Sequence, residues 1–238
     1  MRSVLLAGVL PLLSALSALG ALSGCTAVDP TVVAVLAADE SAELQQPLDL
    51  EALTARIEET CKDCSVEVYD AASDAATQSD QLDEALAESA DVVILDPVDP
   101  ELAEGLVQRA EAVPVVALGT LVPGADRFVG LPGPAPDVEG AASDLQAARE
   151  VILRDRRSFT FLPTAELSEK AADVAVGELV DDPVSGSIDH EGVPSWLFEP
   201  VEVTVNDLTT VVVARGAFTL EDLCAGDTAK RCEKLGLV

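Results

Sequence analysis

Five cysteines carry the most reactive side chains of this 238-residue sequence. Cys25 stands alone after a long apolar run, whereas the other four form two close pairs, Cys61 with Cys64 and Cys224 with Cys232. A thiol can be acylated, oxidised to a disulfide or deprotonated to bind zinc, and its surroundings decide between these reactions. The lone cysteine and the two pairs therefore need separate interpretations.

The residues before the lone cysteine have the pattern of a secretion signal. One positive charge, Arg2, precedes an apolar run that ends at Leu22, as in secretory signals. The run is long enough to span a membrane, but Leu22-Ser23-Gly24-Cys25 resembles a bacterial lipobox, in which the cysteine is acylated and becomes the new N-terminus. We therefore predict a lipoprotein signal peptide in residues 1–24, a lipidation site at Cys25 and a lipidated tether in residues 25–30. The mature chain is then extracytoplasmic and anchored to the cell membrane.

Outside the cytosol, the even number of remaining cysteines indicates disulfides. We expect local pairing, with Cys61 joined to Cys64 and Cys224 joined to Cys232. The first pair also has the spacing of a redox site, but such a site places its first cysteine at a helix N-terminus, and here the pair follows a predicted helix. A zinc site stays open as an alternative if the two pairs converge in space.

The sequence is strongly acidic. It contains 43 Asp and Glu against 14 Lys and Arg, which gives a net charge of −29 at pH 7. Such a chain repels the phosphates of nucleic acids, so we predict no nucleic-acid partner. Apolar residues make up 49% of the sequence, which is enough for a core, and the length allows one large domain or two small ones.

Short apolar runs alternate with segments whose apolar residues have helical spacing. This alternation predicts βαβ units, and hence a parallel sheet with helices on both faces, in three layers. The predicted strands are 32–36, 65–69, 91–95, 114–118 and 127–131, and the predicted helices between them are 48–60, 74–89 and 100–112.

The second half of the chain is predicted to be more mixed. We expect a helix at 137–153, a strand at 158–162, a helix at 164–180 with Thr164 as its N-cap, and a loop at 181–194. A strand at 196–205, broken at Glu199-Pro200, comes next. Asn206 is predicted to cap a helix that reaches residue 214, and Thr219 to cap a turn ahead of a short final helix closed by Cys232.

No set of residues has the spacing of a catalytic site. His190 is the only histidine and falls in the predicted loop, so neither a Ser-His-Asp nor a Cys-His set can be identified. We predict that the chain is not an enzyme and uses no cofactor. Asp96 and Asp99 follow a predicted strand, where α/β sheets bind ligands. A weak metal site is one interpretation, but a helix cap at Asp99 is favoured.

The ordered series of these segments resembles the periplasmic sugar-binding proteins of ABC transporters, and their xylose-binding branch above all. The resemblance covers most of the mature chain in two blocks. It is carried by residues 32–36, 64–71, Gln78 and 91–99 in the first block, and by residues 159–161, 198–206, 216–219, 224–227 and Cys232 in the second.

The resemblance implies a type I periplasmic binding protein fold, in which two lobes close on a sugar that is then delivered to an ABC permease. The segment between the two blocks is too short to supply a second lobe. We therefore predict a single lobe over residues 31–238, made of a first block at 31–136, a connector at 137–157 and a returning block at 158–238. A degenerate surface lipoprotein that acts as an interaction module, without sugar transport, is the alternative.

The resemblance also implies where a sugar would bind. Asp39 and Glu40 follow the first strand and can accept hydrogen bonds from sugar hydroxyls, and Asp96 follows the third. Thr120 stands, with Gly119, where the family carries an Asp-Arg pair. We therefore predict Asp39, Glu40, Asp96 and Thr120 as ligand-binding residues, a sugar and an ABC permease as partners, and no metal site.

Overall fold

The structure, a computed structural model, describes residues 30–39, 48–133 and 145–237. Cys25, Glu40 and the predicted signal peptide lie outside these ranges. The described strands are β1 (Thr31–Ala37), β2 (Cys64–Asp70), β3 (Val92–Leu95), β4 (Val115–Gly119), β5 (Arg127–Gly130), β6 (Ser158–Phe161), β7 (Ile188–His190), β8 (Val193–Leu197) and β9 (Val201–Thr204). The α-helices are α1 (Leu50–Thr60), α2 (Ala75–Ala87), α3 (Pro100–Ala110), α4 (Leu145–Leu153), α5 (Thr164–Leu179), α6 (Leu220–Leu223) and α7 (Ala229–Leu235).

Seven strands form one sheet in the order β2-β1-β3-β4-β5-β8-β7. Every neighbouring pair is parallel except β7 with β8. The strands β1, β3 and β4 are apolar almost throughout and buried, as expected for strands covered on both faces. The core on one face includes residues of α1 and α5, and the core on the other includes residues of α2 and α3. The predicted three-layer α/β fold is therefore confirmed.

Aspartates fix the start of each helix in the first half of the chain. Asp49, Asp74 and Asp99 are the N-caps of α1, α2 and α3, and each side chain accepts a hydrogen bond from a backbone N–H in the first turn of its helix. Such caps satisfy donors that have no partner within the helix. They also place the helix starts directly beyond the ends of β2 and β3.

A second hydrophobic core lies apart from the large sheet. It is formed by α4, by the antiparallel pair β6 and β9, by a π-helix at Leu208–Val213, and by α6 and α7 with the Cys224–Cys232 disulfide. We call residues 145–161 and 201–237 the small unit, and the described residues of 30–133 and 162–200 the sheet unit. The returning block is thus shared between two cores, because α5, β7 and β8 join the large sheet and the rest joins the small unit.

The chain passes between the two units three times. It does so after β5, between β6 and α5, and between β8 and β9. An ion pair between Arg215 of the small unit and Glu166 of α5, at 3.5 Å, adds a side-chain link between the units.

Several predictions for the second half are wrong in detail. His190 lies in β7 rather than in a loop, because Glu191 and Gly192, with φ of 52° and 88°, form a tight turn that pairs β7 with β8. The predicted strand 196–205 is two strands in two different sheets, since Pro200 has no N–H with which to continue the ladder.

Two predicted helix caps are also wrong. The residue before α5 is Pro163, so Thr164 is its first helical residue and not its N-cap. Asp207, rather than Asn206, precedes the next helix, which is a short π-helix. Its β-branched sequence is poorly suited to a regular α-helix. Thr219, in contrast, caps α6 as predicted, in a reciprocal pair of hydrogen bonds with Asp222.

Candidate functional site

The carboxyl ends of four neighbouring strands meet at one edge of the sheet, where α/β proteins commonly bind ligands. Asp39 lies two residues beyond β1, Asp70 ends β2, Asp96 follows β3 and Thr120 follows β4. The strand order makes these residues neighbours along the edge. We call this region the sheet edge, and three of the four predicted ligand-binding residues lie at it.

Two left-handed residues shape the turn after β2. Ala72 and Ser73 have φ of 47° and 63°, which costs roughly 1–3 kcal/mol for each residue that is not glycine. The backbone N–H of Ser73 donates to the carbonyl oxygen of Ala38 at 2.7 Å, and its Oγ donates to Asp39 Oδ2 at 2.6 Å. Ala72 N–H donates to Asp70 Oδ1 at 2.8 Å. The turn therefore fixes the Asp39 carboxylate at the sheet edge.

Asp96 is the most deeply buried acid of the sheet edge, with 5% of its surface exposed. Burial raises the pKa of its carboxyl group to about 7, and the hydrogen bond from Ala38 N–H to Oδ2 acts weakly in the opposite direction. That bond is long, at 3.4 Å, so it offsets little of the desolvation. Near neutral pH the Asp96 carboxyl therefore exists both as an acid and as a carboxylate.

Gln78 holds the backbone on either side of Pro97. Its Nε2 donates to the carbonyl oxygen of Asp96 at 2.7 Å, and its Oε1 accepts from Val98 N–H at 3.0 Å. Gln78 is itself buried in α2. Because both ends of its amide are used, Gln78 fixes the segment after β3 and with it the position of the Asp96 carboxyl.

The chemistry of these groups suits a neutral polyhydroxylated solute. A carboxylate accepts hydrogen bonds, and a protonated carboxyl both donates and accepts. Asp96 Oδ2 accepts a hydrogen bond from the N–H of Ala38, the residue before Asp39. Ser73, whose Oγ donates to Asp39 Oδ2, also donates its N–H to the Ala38 carbonyl oxygen. The structure therefore brings these two predicted residues together.

Thr120 is not hydrogen-bonded to that pair in the part of the chain that the structure describes. Its side chain is exposed, its N–H donates to the Leu118 carbonyl oxygen at 2.8 Å, and within the described ranges no hydrogen bond joins it to Asp39 or Asp96. The backbone beside it is tightly packed, because a Cβ on Gly130 would come within 2.4 Å of the Phe128 ring and 2.6 Å of the Gly119 carbonyl oxygen. Glycine is required there.

Asp99 acts as a helix cap, as the sequence analysis favours. Its Oδ1 accepts from Glu101 N–H at 2.9 Å and from Leu102 N–H at 3.3 Å. In the part of the chain that the structure describes, no group of three or more His, Cys, Asp or Glu residues is placed to hold a metal ion.

The sole histidine lies against an aromatic ring. The rings of His190 and Phe128 stack with centroids 6.0 Å apart and planes inclined by 22°. The hairpin of β7 and β8 thus places His190 against Phe128 of β5, and this packing contact explains the position of the histidine.

The four paired cysteines form two disulfides, Cys61–Cys64 and Cys224–Cys232. This is the local pairing that the sequence analysis favours. The first bridge joins the end of α1 to the start of β2, beside one face of the large core. The second lies in the core of the small unit. The bridges belong to different cores, and the sulfur atoms of a disulfide are not available as thiolate ligands for zinc.

Two residues of the site are not predicted from the sequence. Ser73 is missed because nothing in its residue type signals a left-handed turn, a conformation that usually requires glycine or asparagine. Gln78 is part of the family resemblance, but its clamp depends on burial of a polar side chain in an otherwise ordinary amphipathic helix. The only signal in the sequence is a polar residue on the apolar side of the predicted helix, four residues before Leu82.

Comparison with known proteins identifies the fold. Residues 48–130 match the family model described as a periplasmic binding protein domain. The chain has the fold of a type I periplasmic binding protein. The family model and the solved structures confirm the predicted resemblance to the periplasmic sugar-binding proteins of ABC transporters.

Several solved structures share this fold at low sequence identity. An ABC transporter solute binding protein from Clostridium phytofermentans with bound β-D-glucose is 12% identical, with a TM-score of 0.63 over 81% of this chain and 100% of that chain. A carbohydrate transporter solute binding protein from Chloroflexus aurantiacus in complex with D-glucose is 12% identical, with a TM-score of 0.59 over 82% and 98%. The Caulobacter myo-inositol binding protein is 14% identical, with a TM-score of 0.56 over 76% and 95%. No curated protein matches the sequence significantly.

The matched family supports the extracytoplasmic part of the predicted location. A periplasmic binding protein domain implies an extracytoplasmic protein. None of the described helices has the length and apolar character that crossing a membrane requires.

Proposed function

We propose that this protein is an extracytoplasmic solute-binding lipoprotein, related to the sugar-binding component of an ABC transporter. The observation that carries the proposal is the sheet edge of a type I periplasmic binding protein fold, where Asp96 is hydrogen-bonded to the N–H of Ala38 and Asp39 is the next residue. Solved proteins of this fold are described with bound β-D-glucose, D-glucose and myo-inositol. We propose a neutral sugar or cyclic polyol as the solute.

Calorimetry against a panel of pentoses, hexoses and inositols tests this proposal. One member of the panel should bind and raise the melting temperature, since a ligand that binds only the folded state stabilises it. Ser73→Ala removes the hydroxyl that orients Asp39, so it should weaken binding roughly 2- to 10-fold, which corresponds to one hydrogen bond of about 0.5–1.5 kcal/mol. Ser187→Ala, at an exposed position just before β7, is the control for loss of one hydroxyl group. A folded protein that binds no member of the panel refutes the proposal.

We propose that Cys25 carries the lipid and that an ABC permease is the partner. The lipobox resemblance and the implied extracytoplasmic location support this proposal. Mass spectrometry of the N-terminal peptide of the membrane-extracted protein should find an acylated Cys25, and Cys25→Ser should release the protein from the membrane fraction. An intact peptide spanning residues 1–24 on the wild-type protein would contradict lipidation.

One observation favours a second candidate, an interaction module without transport. The sheet of the small unit, as far as the structure describes it, consists only of β6 and β9, each four residues long. A unit with so little sheet offers few strand ends to grip a solute from the side opposite Asp39 and Asp96. A folded protein without solute affinity that still binds a protein partner would support this candidate.

A further inference from the structure

The arginines of the two units differ in their pairing. In the sheet unit, each arginine forms an ion pair, Arg56 with Asp173, Arg109 with Asp83 and Arg127 with Glu178. In the small unit, Arg154 and Arg157 are exposed, and neither guanidinium group has an ion pair or hydrogen bond to any described residue. Unpaired guanidinium groups are unexpected in a chain with a three-fold excess of acidic residues.

The two units also differ in charge. Eight of the 14 Lys and Arg residues lie in the small unit, but only eight of the 43 Asp and Glu residues do. The small unit is therefore electrically neutral, whereas the rest of the chain carries the whole excess of negative charge. An anionic partner that approaches this protein meets the least repulsion at the small unit.

A groove of about 370 Å³ opens along the last turn of α4, the helix that these arginines follow in the chain. One wall is formed by Arg149 and Leu153 of α4, and the other by residues 225–228. Leu153 leaves 38% of its surface exposed, and it directly precedes Arg154, whose φ of 73° turns the chain at the end of the helix. The groove thus has an apolar side at Leu153, and two arginines with unpaired guanidinium groups follow that residue within four positions.

The walls of the groove are held by internal hydrogen bonds. Arg149 donates through Nε and Nη2 to the carbonyl oxygen of Asp222, at 3.0 and 2.5 Å. Thr228 Oγ1 donates to the carbonyl oxygens of Leu223 and Ala225, at 2.7 and 2.9 Å. Because these groups are already bonded within the small unit, the groove is preformed, and a partner does not have to order it on binding.

We propose that this groove is the docking site for an acidic segment of a partner protein. The segment places an apolar side chain against Leu153 and Ala225, and carboxylates beside Arg154 and Arg157. Arg–carboxylate contacts of this kind are charge-assisted and stronger than neutral hydrogen bonds. The site is separate from the sheet edge, so it does not depend on the solute that the edge binds.

The shape and charge of the surface favour a protein segment over a membrane. A flat bilayer cannot enter a concave groove, and an anionic bilayer would repel the acidic sheet unit. Asp227 lines the far wall, and its carboxylate can accept a hydrogen bond from a peptide N–H of the segment. Nucleic acid is disfavoured by the net charge of −29.

Fluorescence anisotropy with labelled octapeptides tests the proposal on the full-length protein. The probes carry one leucine or phenylalanine followed by three Asp or Glu, and matched probes carry Asn or Gln instead. Acidic probes should bind, and their affinity should fall as salt rises from 20 to 200 mM. The double variant R154E/R157E should weaken binding roughly 10-fold or more, as expected for reversed charges at a charged interface, and Leu153→Ser should weaken it several-fold.

Arg109→Glu is the matched control, because Arg109 is also partly exposed but lies in the sheet unit. It should leave the probe affinity unchanged within about two-fold. Circular dichroism and the melting temperature check the folding of each variant, and the single variant Arg157→Glu replaces the double variant if that one unfolds. The proposal is overturned if no acidic probe binds, if the amide probes bind equally well, or if Arg109→Glu weakens binding as much as R154E/R157E. It is also overturned if sedimentation shows a dimer that R154E/R157E abolishes, because the occupant is then a second copy of the chain.

Discussion

The substitution Asp96→Asn should change how stability depends on pH. Asp96 is buried at the sheet edge, and its carboxyl has an ordinary pKa of 3.8 but a pKa of about 7 in the folded protein. The folded chain therefore keeps this proton to a higher pH than the unfolded chain does. The free energy of unfolding is highest below pH 4 and falls as the pH rises through 7. The full shift corresponds to roughly 4 kcal/mol.

Asparagine keeps the shape of the side chain and does not titrate. Asp96→Asn should therefore be more stable than the wild type at high pH, and the difference between the two proteins should grow by roughly 3 kcal/mol between pH 5 and pH 8. The self-repulsion of a chain with a net charge of −29 also rises over this range, but it affects both proteins almost equally. Urea unfolding at several pH values measures the difference directly.

The exposed Asp80 provides the control. Asp80→Asn removes the same charge from α2 but relieves no burial, so its stability difference from the wild type should hardly change between pH 5 and pH 8. If Asp96→Asn behaves like Asp80→Asn, the Asp96 carboxyl is hydrated or paired in solution, and the reasoning from its burial is wrong. If Asp96→Asn is instead less stable at pH 8, the carboxylate is favoured by the fold.

Three further predictions concern stability. Ala72→Gly should raise the free energy of unfolding by roughly 1 kcal/mol in urea, because glycine adopts a φ of 47° without strain; an unchanged midpoint would contradict a strained turn. Gly130→Ala should lower it by roughly 1–3 kcal/mol, since the added Cβ overlaps the Phe128 ring, and a wild-type melting temperature would show that the backbone yields. Replacing Cys224 and Cys232 by serine opens a nine-residue loop, so the melting curve should show a loss of roughly 2–3 kcal/mol; loss of the small unit alone, seen by hydrogen exchange, would show that the two cores unfold separately.

Local patterns predict the first half of the fold well. The apolar runs of β1, β3 and β4 and the helices α1 to α3 lie where the sequence places them, within a few residues, and Asp99 caps α3 as favoured. These elements are specified by neighbours in sequence, namely a side chain that caps its own helix or a run that must be buried on both faces. Their pairing into a parallel sheet follows from the alternation alone.

The second half depends on contacts that are distant in sequence. The three residues of β7 are mostly exposed and become a strand only because β8 is beside them. The segment 196–205 is apolar on both sides of Pro200. Its sequence pattern does not predict that the residues before Pro200 pair with β5 and those after it pair with β6. Sheet membership of short strands is set by tertiary packing.

The candidate site is predicted in part for the same reason. Asp39 and Asp96 can be placed at the sheet edge because strand ends can be located in the sequence. The hydrogen bond that holds Asp39, however, depends on the register that sets Ala37 opposite Asp70 and on the left-handed turn beyond it. The burial of Asp96, and hence its raised pKa, depends on how tightly the segments after β1 and β3 close over it.

The point at which the large sheet begins determines how a lipid-anchored form of this protein would stand on a cell. Strand β1 starts at Thr31, only six residues after Cys25, the proposed site of acylation. The tether between them can therefore span at most about 20 Å. The strand then rises about 23 Å to its far end, where Asp39 lies. If β1 is perpendicular to the membrane, the sheet edge would lie some tens of ångströms above the lipid and face the surrounding medium. To transfer a solute to a permease in the bilayer, the whole molecule would have to tilt on its short tether until the sheet edge faces the membrane.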